Sequence, residues 1–177
     1  MPELDELRAT AHPVRLRLLS LLTGTALSAA EAGRELGLSQ AAASYHLRVL
    51  ERAGLVVVVE VVRIRGGDAK RYRHLSSAQP FPLVVPPDSP TDPGAADERA
   101  QYVEALVDEL RRRSPRRASG PQVSTDAELW VDPETWRRVV HHVGQASALL
   151  HAAAQPPRTP GTAPVSMTAA LFPMRRP

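Results

Sequence analysis

Two helix-start signals separated by a single tight turn constrain this chain more than any other feature. Ser28-Ala-Ala-Glu31 places a serine three residues before a glutamate, the capping-box arrangement in which each side chain satisfies a free amide of the first turn. The helix it opens should end near Leu36-Gly37, where glycine can take the left-handed conformation of a C-cap. Ser39 then caps a second helix reaching about Ala53, with Gly54 placed to stop it. Two short capped helices joined by a glycine-containing turn read as a helix-turn-helix. Before them, Leu4, Leu7 and Ala11, then Val14, Leu18, Leu19 and Leu22, recur at helical spacing. Pro13 separates these two helices and suits a first helical turn, and Gly24 lies where a C-cap glycine would.

Leu55 to Ile64 is dominated by β-branched residues and reads as a strand by residue type. Gly66-Gly67-Asp68 is a turn signal, and Lys70 to Leu75 returns as a second strand. The result is a β-hairpin with a basic tip, a wing beside the helix-turn-helix.

The helix after Ser39 carries two faces on a wheel of 100° per residue. Ala43, Leu47 and Leu50 fall together as the face to bury. Ala41, Ser44, Tyr45, Arg48 and Arg52 fall opposite, small and polar at the start and basic further along. That is the gradient a major-groove helix needs. Small or polar residues at Ser39, Gln40 and Ala41 let the helix N-terminus, with its free amides and positive dipole end, come close to a phosphate. Ser44 and Tyr45 can reach base edges or phosphates, and Arg48 can bond a guanine edge in bidentate fashion. Arg63, Arg65, Lys70, Arg71 and Arg73 on the hairpin would meet backbone phosphate or the minor groove. Any amphipathic helix has a solvated polar face, so the weight rests on capped helix, turn, second helix and basic hairpin occurring in order.

Charge agrees with this placement. Residues 1–77 hold 11 Lys/Arg against 8 Asp/Glu, while residues 78–177 hold 11 of each. The net +3 therefore sits entirely in the first part, a footprint for nucleic acid. The chain has no cysteine, which excludes disulfides, thiolate metal sites and thiol switches. The acidic, amphipathic start is not a secretory signal, and no apolar run approaches the ~18–20 residues that span a bilayer. The expected location is the cytoplasm.

The second part is less explicit. Residues 78–96 hold six prolines and read as a stiff linker. Asp97 to Arg113 is a helix with Ala100, Val103, Leu106, Val107 and Leu110 on one face. Gln122 to Val131 alternates as a strand would. Asp132-Pro133 opens another helix reaching about Ala154, with Trp136, Val139, Val140, Val143, Leu149 and Leu150 near one face. Val165 to Phe172 is a second short alternating segment. The expected fold class is α+β: a winged helix-turn-helix domain at 1–77, the linker at 78–96, and a helix-strand-helix-strand region at 97–173 for dimerisation or sensing.

The blocks His12-Pro-Val-Arg-Leu-Arg-Leu-Leu19 and Leu38-Ser-Gln-Ala-Ala-Ala-Ser-Tyr-His-Leu-Arg-Val-Leu-Glu-Arg-Ala-Gly-Leu-Val56, followed by the hairpin Arg63-Ile-Arg-Gly-Gly-Asp-Ala-Lys-Arg-Tyr-Arg73, together resemble ArsR-like bacterial winged-helix repressors. The resemblance covers about the first 77 residues. It implies a homodimer on a pseudo-palindromic operator, acting as a repressor released by a ligand. Many members sense metal through paired cysteines in the helix ending near Leu36; here that helix has none, so thiolate sensing is excluded. The remaining 100 residues far exceed the family's usual single C-terminal helix.

His141, His142 and His151 could suggest a metal, but His142 and His151 lie about half a turn apart on a helix wheel, and no metal or cofactor is expected. Trp130, Trp136, Met167 and Phe172 concentrate aromatic and sulfur side chains where DNA binding does not need them. They are candidates for a small core, a dimer contact, or a pocket for an apolar small-molecule effector. No P-loop, dinucleotide-binding glycine pattern, HExxH or nucleophile elbow occurs, so catalysis is not expected. The sequence thus points to a dimeric, DNA-binding transcriptional repressor. Activation in place of repression, or a winged helix turned to protein interaction, remain alternatives.

Overall fold

The computed structural model describes residues 2–64, 67–74 and 93–174. Arg65 and most of the proline-rich stretch read as a linker lie outside them. Six helices and three strands follow in order: α1 Pro2–Thr10, α2 Pro13–Gly24, β1 Leu27–Ser28, α3 Ala29–Leu36, α4 Gln40–Arg52, β2 Val57–Ile64, β3 Gly67–Arg73, α5 Pro93–Arg113 and α6 Pro133–Ala152. The fold is mixed, with the helix-turn-helix at the N-terminal side of a small antiparallel sheet.

The local signals explain the element ends. Ser28 Oγ accepts from the Glu31 amide and the Glu31 carboxylate accepts from the Ser28 amide, closing the capping box of α3. Gly37 sits at φ 68° and ψ 35°, the left-handed region that a Cβ disfavours. Ser39 Oγ accepts from the Ala42 amide at 3.1 Å and caps α4.

Gly24 differs from the sequence reading. It is the last residue of α2, and the capping position falls to Thr25 in extended backbone. A Cβ at residue 24 would lie 2.5 Å from the Gln155 carbonyl oxygen. The glycine is needed for close approach of a distant segment, not to end the helix.

The sheet order is β1-β3-β2, all antiparallel. β1, which no sequence pattern announced, is two residues long and pairs Leu27 with Tyr72 and Ser28 with Arg71. A bulge interrupts the β2–β3 register between Val58 and Glu60, adding twist to the hairpin. The core beneath joins Leu18 and Leu22 of α2, Leu47 and Leu50 of α4, and Val56, all essentially without exposure. Ala9, Ala32, Leu55 and Tyr72 complete it. Each such aliphatic side chain contributes about 1.5–3 kcal/mol on burial.

α5 docks on α1 and α2, but not by its apolar face. The side chains turned inward are Glu98, Ala105 and Glu109, while Ala100, Val103 and Leu110 are exposed. The reason is electrostatic. Glu98 pairs with Arg8 of α1, and Glu109 pairs with Arg17 of α2 at 2.8 Å. Arg112 and Arg113 of its own helix converge on Glu109 as well. A buried carboxylate is tolerated when guanidinium groups surround it.

The two strands expected in the second part are corrected. Neither 122–131 nor 165–172 forms a strand. Their side chains alternate, but alternation makes a strand only where another strand offers hydrogen bonds, and none lies alongside. Every residue from 115 to 134 and from 160 to 174 is exposed.

Candidate nucleic-acid interface

α4 presents its two faces as the wheel suggested. Ala43, Leu47 and Leu50 are fully buried, which fixes the helix axis against α2. Gln40, Ala41, Tyr45, Arg48 and Arg52 are exposed and Ser44 is half-buried. One shallow depression on this surface is lined by Gln40, Ala41, Ser44 and Arg48. A second is lined by Tyr45, Arg48, Glu51 and Arg52. Arg48 is common to both. Its Nε donates to the Ser44 carbonyl at 3.3 Å, and Arg52 Nε donates to the Arg48 carbonyl at 3.3 Å. These contacts lay both side chains along the helix and leave their terminal nitrogens outward.

The start of α4 leaves backbone amides open. Ser39 spends its hydroxyl oxygen on the Ala42 amide, and the Ala43 amide donates to the Ser39 carbonyl. The amides of Gln40 and Ala41 have no partner among the described residues. Free amides at a helix N-terminus, beside exposed small side chains, suit a phosphate oxygen.

Tyr45 is 57% exposed yet held in place. Its ring meets His46 edge-on, with centroids 5.2 Å apart, and His46 in turn packs against His12 with the rings tilted by 46° and centroids 4.7 Å apart. His12 is itself the N-cap of α2, where its Nδ1 accepts from the Val14 amide at 3.1 Å. Burial, then the neighbouring Arg15 and Arg17, hold the His12 imidazole below its ordinary pKa. Burial, followed by the charges of His12 and Arg15, does the same to His46. Both rings are therefore neutral packing elements near pH 7 that link the start of α2 to the reading helix. Neither was singled out from sequence, although both lie in the matched blocks. Adjacent helices bring them together across 34 positions.

The wing is tied to α4 through one carboxylate. Glu51 accepts from Lys70 Nζ and from the Tyr72 hydroxyl, both at 3.4 Å. Burial, and then Glu51, raise the Tyr72 pKa, so the phenol stays protonated to donate. Lys70 and Tyr72 share a face of β3 because strand side chains alternate with period two. Glu51 had not been marked as functional, and its value lies in setting the angle between wing and helix.

Of the hairpin cations expected to meet DNA, Arg63 and Arg73 are exposed and form no ion pair among the described residues. Lys70 is exposed but shared with Glu51. Arg71 is corrected. Its guanidinium donates to the Ala26 carbonyl at 2.6 Å and lies 4.0 Å from Glu31 and 3.7 Å from Glu60. As the neighbour of inward-facing Tyr72, it falls on the opposite face of β3, where β1 and α3 provide acceptors. It fastens β3 to the residues around β1 and α3.

The four residues proposed for an effector lie largely at the surface, Met167 at 37% exposure. Trp130 is 81% exposed in the segment before α6, Phe172 is 64% exposed, and Trp136 is half-buried on α6. None of them lines either depression on the reading face. No cluster of three or more His, Asp or Glu side chains with metal-binding geometry occurs among the described residues.

A family model described as a helix-turn-helix domain matches residues 10–59. That span takes in α2, α3, α4 and the start of β2. A search of curated proteins found no match. The chain therefore carries a helix-turn-helix domain of the kind found in DNA-binding transcription regulators, and its matched span holds the exposed face of α4 just described. Among the described residues no helix is long and apolar enough to cross a membrane.

Proposed function

We propose that this protein is a sequence-specific transcription regulator that inserts α4 into the major groove of double-stranded DNA. The observation that carries the reading is the exposed row Gln40, Ala41, Tyr45, Arg48 and Arg52, with half-buried Ser44 among them, mounted on a helix whose opposite face is fully buried and whose N-terminal amides are open. Arg63, Lys70 and Arg73 on the hairpin supply phosphate contacts beside it. The matched blocks support an ArsR-like repressor acting as a homodimer in the cytoplasm, on a pseudo-palindromic operator whose half-sites lie about 34 Å apart. An apolar small molecule recognised by the C-terminal part is the release signal consistent with its exposed aromatic side chains. The protein acts by binding and has no catalytic role.

The test is an electrophoretic shift with the DNA upstream of its own gene, followed by genome-wide mapping of bound sites. A footprint with two-fold symmetry, competed only by the same sequence, is expected. Binding to no DNA at low salt, or equal binding to every sequence, would overturn the reading in favour of a protein-interaction module. Transcription that rises on loss of the gene identifies a repressor; transcription that falls identifies an activator.

A further inference from the structure

Arg15 puts a cation where the helix period asks for an aliphatic side chain. Residues 15, 18, 19 and 22 of α2 share one face, and Leu18, Leu19 and Leu22 belong to the core. Arg15 extends that stripe into the first turn, where it is half-buried. Other arginines that the fold draws inward meet carboxylates. Arg17 pairs with Glu109 at 2.8 Å, Arg113 shares the same carboxylate, and Arg71 lies between Glu31 and Glu60. Arg15 forms no ion pair among the described residues, and its Nε is buried without a hydrogen-bond partner.

The groups around Arg15 do not answer its charge. Tyr45 of α4 is one neighbour. The others are His12 and His46, whose imidazoles feel the guanidinium and stay neutral. The Nδ1 of His46 is likewise buried without a partner. Burial lowers the Arg15 pKa, yet a guanidinium keeps its proton in a protein. A charge taken partly out of water without a counter-charge is costly, so an anion from outside the chain would relieve it. The cluster opens beside Tyr45, which is 57% exposed, and so borders the exposed face of α4. The start of α2 adds no backbone donor. Pro13 has no amide, the Val14 amide goes to His12 Nδ1, and the Arg15 and Leu16 amides donate to the His12 carbonyl.

We propose that Arg15 binds a phosphate of the DNA backbone, a contact made from α2 and separate from those of α4 and the wing. It deepens the DNA-binding role proposed above and rests on it. A phosphate is favoured over a base edge because Arg15 stands on a neighbouring helix, outside the exposed row of α4. It is favoured over an acidic protein partner because Arg48 and Arg52 line the same border. The wing is tied to α4 at Glu51, about 9 Å along the helix from Tyr45. Arg15 and the wing would therefore grip the backbone at separate points.

Fluorescence anisotropy on the full chain tests the contact. The probes are a duplex from upstream of its own gene and a random-sequence duplex of equal length, titrated between about 50 and 200 mM salt. Arg15→Gln should weaken binding to both duplexes by the same factor. That deficit should narrow about 3.5-fold across the salt range, because one phosphate contact contributes ~0.9 to the slope of log K against log salt. Arg15→Met, which keeps an unbranched stem, should do the same, and Arg15→Lys should restore the unaltered slope. Arg138→Gln removes a charge from an exposed position of α6 and should leave the slope unchanged. Helical circular dichroism checks that each variant is folded. Affinity that falls with an intact slope would make Arg15 a packing residue for Tyr45 and overturns the proposal. An equal change in Arg138→Gln overturns it by tracing the effect to net charge. A loss confined to the upstream duplex overturns it by assigning Arg15 to a base edge. Full affinity in Arg15→Gln overturns the contact alone, whereas an unaltered chain that binds neither duplex overturns the DNA-binding role as well.

Discussion

Under the proposed function, Arg48 is the side chain on which recognition should most depend, because it borders both depressions of α4 and forms no ion pair among the described residues. Arg48→Ala is expected to weaken specific binding by about 1–3 kcal/mol if the guanidinium reads a base edge. A fluorescence-anisotropy titration against specific and scrambled duplexes checks this, since loss of a phosphate contact alone would weaken both equally. His74 governs a different property. It is buried, its amide donates to the Leu22 carbonyl at 3.2 Å, and its Nδ1 lies 3.5 Å from Thr23 Oγ1. Burial, followed by the charge of His151, lowers its pKa from 6.5 to about 4. The unfolded chain therefore binds a proton between these values and the folded chain does not. The sign follows: stability is complete above about pH 6.5 and falls as pH drops toward 4, by up to ~3 kcal/mol for this group. His12 and His46 shift in the same direction. Melting temperatures across pH 4–7 should decline on the acid side, and His74→Gln should flatten the decline.

At the scale of elements, two further attachments beside the Arg8–Glu98 pair bind the C-terminal part to the DNA-binding half. Glu109 of α5, 4% exposed, gathers Arg17, Arg112 and Arg113. Removing one member of a buried pair costs about 3–5 kcal/mol. These arginines keep a quarter or more of their exposure, so Glu109→Gln should cost about 2 kcal/mol, measured as a lower urea midpoint. The second attachment is the segment after α6. Gln155 rests on Gly24, and Arg158, at a positive φ of 65°, reaches Glu35 of α3. A non-glycine residue in that region is held there by its surroundings. Gly24→Ala should expel the segment, because the added Cβ would collide with backbone. Faster amide exchange over residues 153–159, with α4 unaffected, is the expected signature. These attachments run to α2 and α3, so a change in the C-terminal part has a physical route to the helix-turn-helix.

For the whole molecule, association with DNA should depend steeply on salt. If Arg48, Arg52, Arg63, Lys70 and Arg73 each neutralise one phosphate, the slope of log K against log salt should be about −4.5 per protomer. Titrations from low to moderate salt measure it; a slope near zero would remove phosphate binding from the mechanism. At this scale the limits of the sequence are also clear. The capping box at Ser28, the left-handed turn at Gly37, the cap at Ser39 and the buried row Ala43, Leu47 and Leu50 were all legible. Each depends on residues within a few positions, where backbone geometry and helical period decide the outcome. Much of the reading face was legible for the same reason. What could not be read depends on partners far along the chain. Arg71 is drawn into the chain because Ala26 and Glu31 offer acceptors beside it. β1 exists because Tyr72 and Arg71 arrive beside it, and 122–131 is no strand because nothing does. Gly24 serves Gln155, and α5 turns its carboxylates inward because Arg8 and Arg17 await them. By itself the sequence determined the capped helix-turn-helix and its polar, basic face; only the tertiary structure decided which charges were left free to meet DNA and which apolar faces were left uncovered, because both depend on which long-range partners had already been satisfied within the fold.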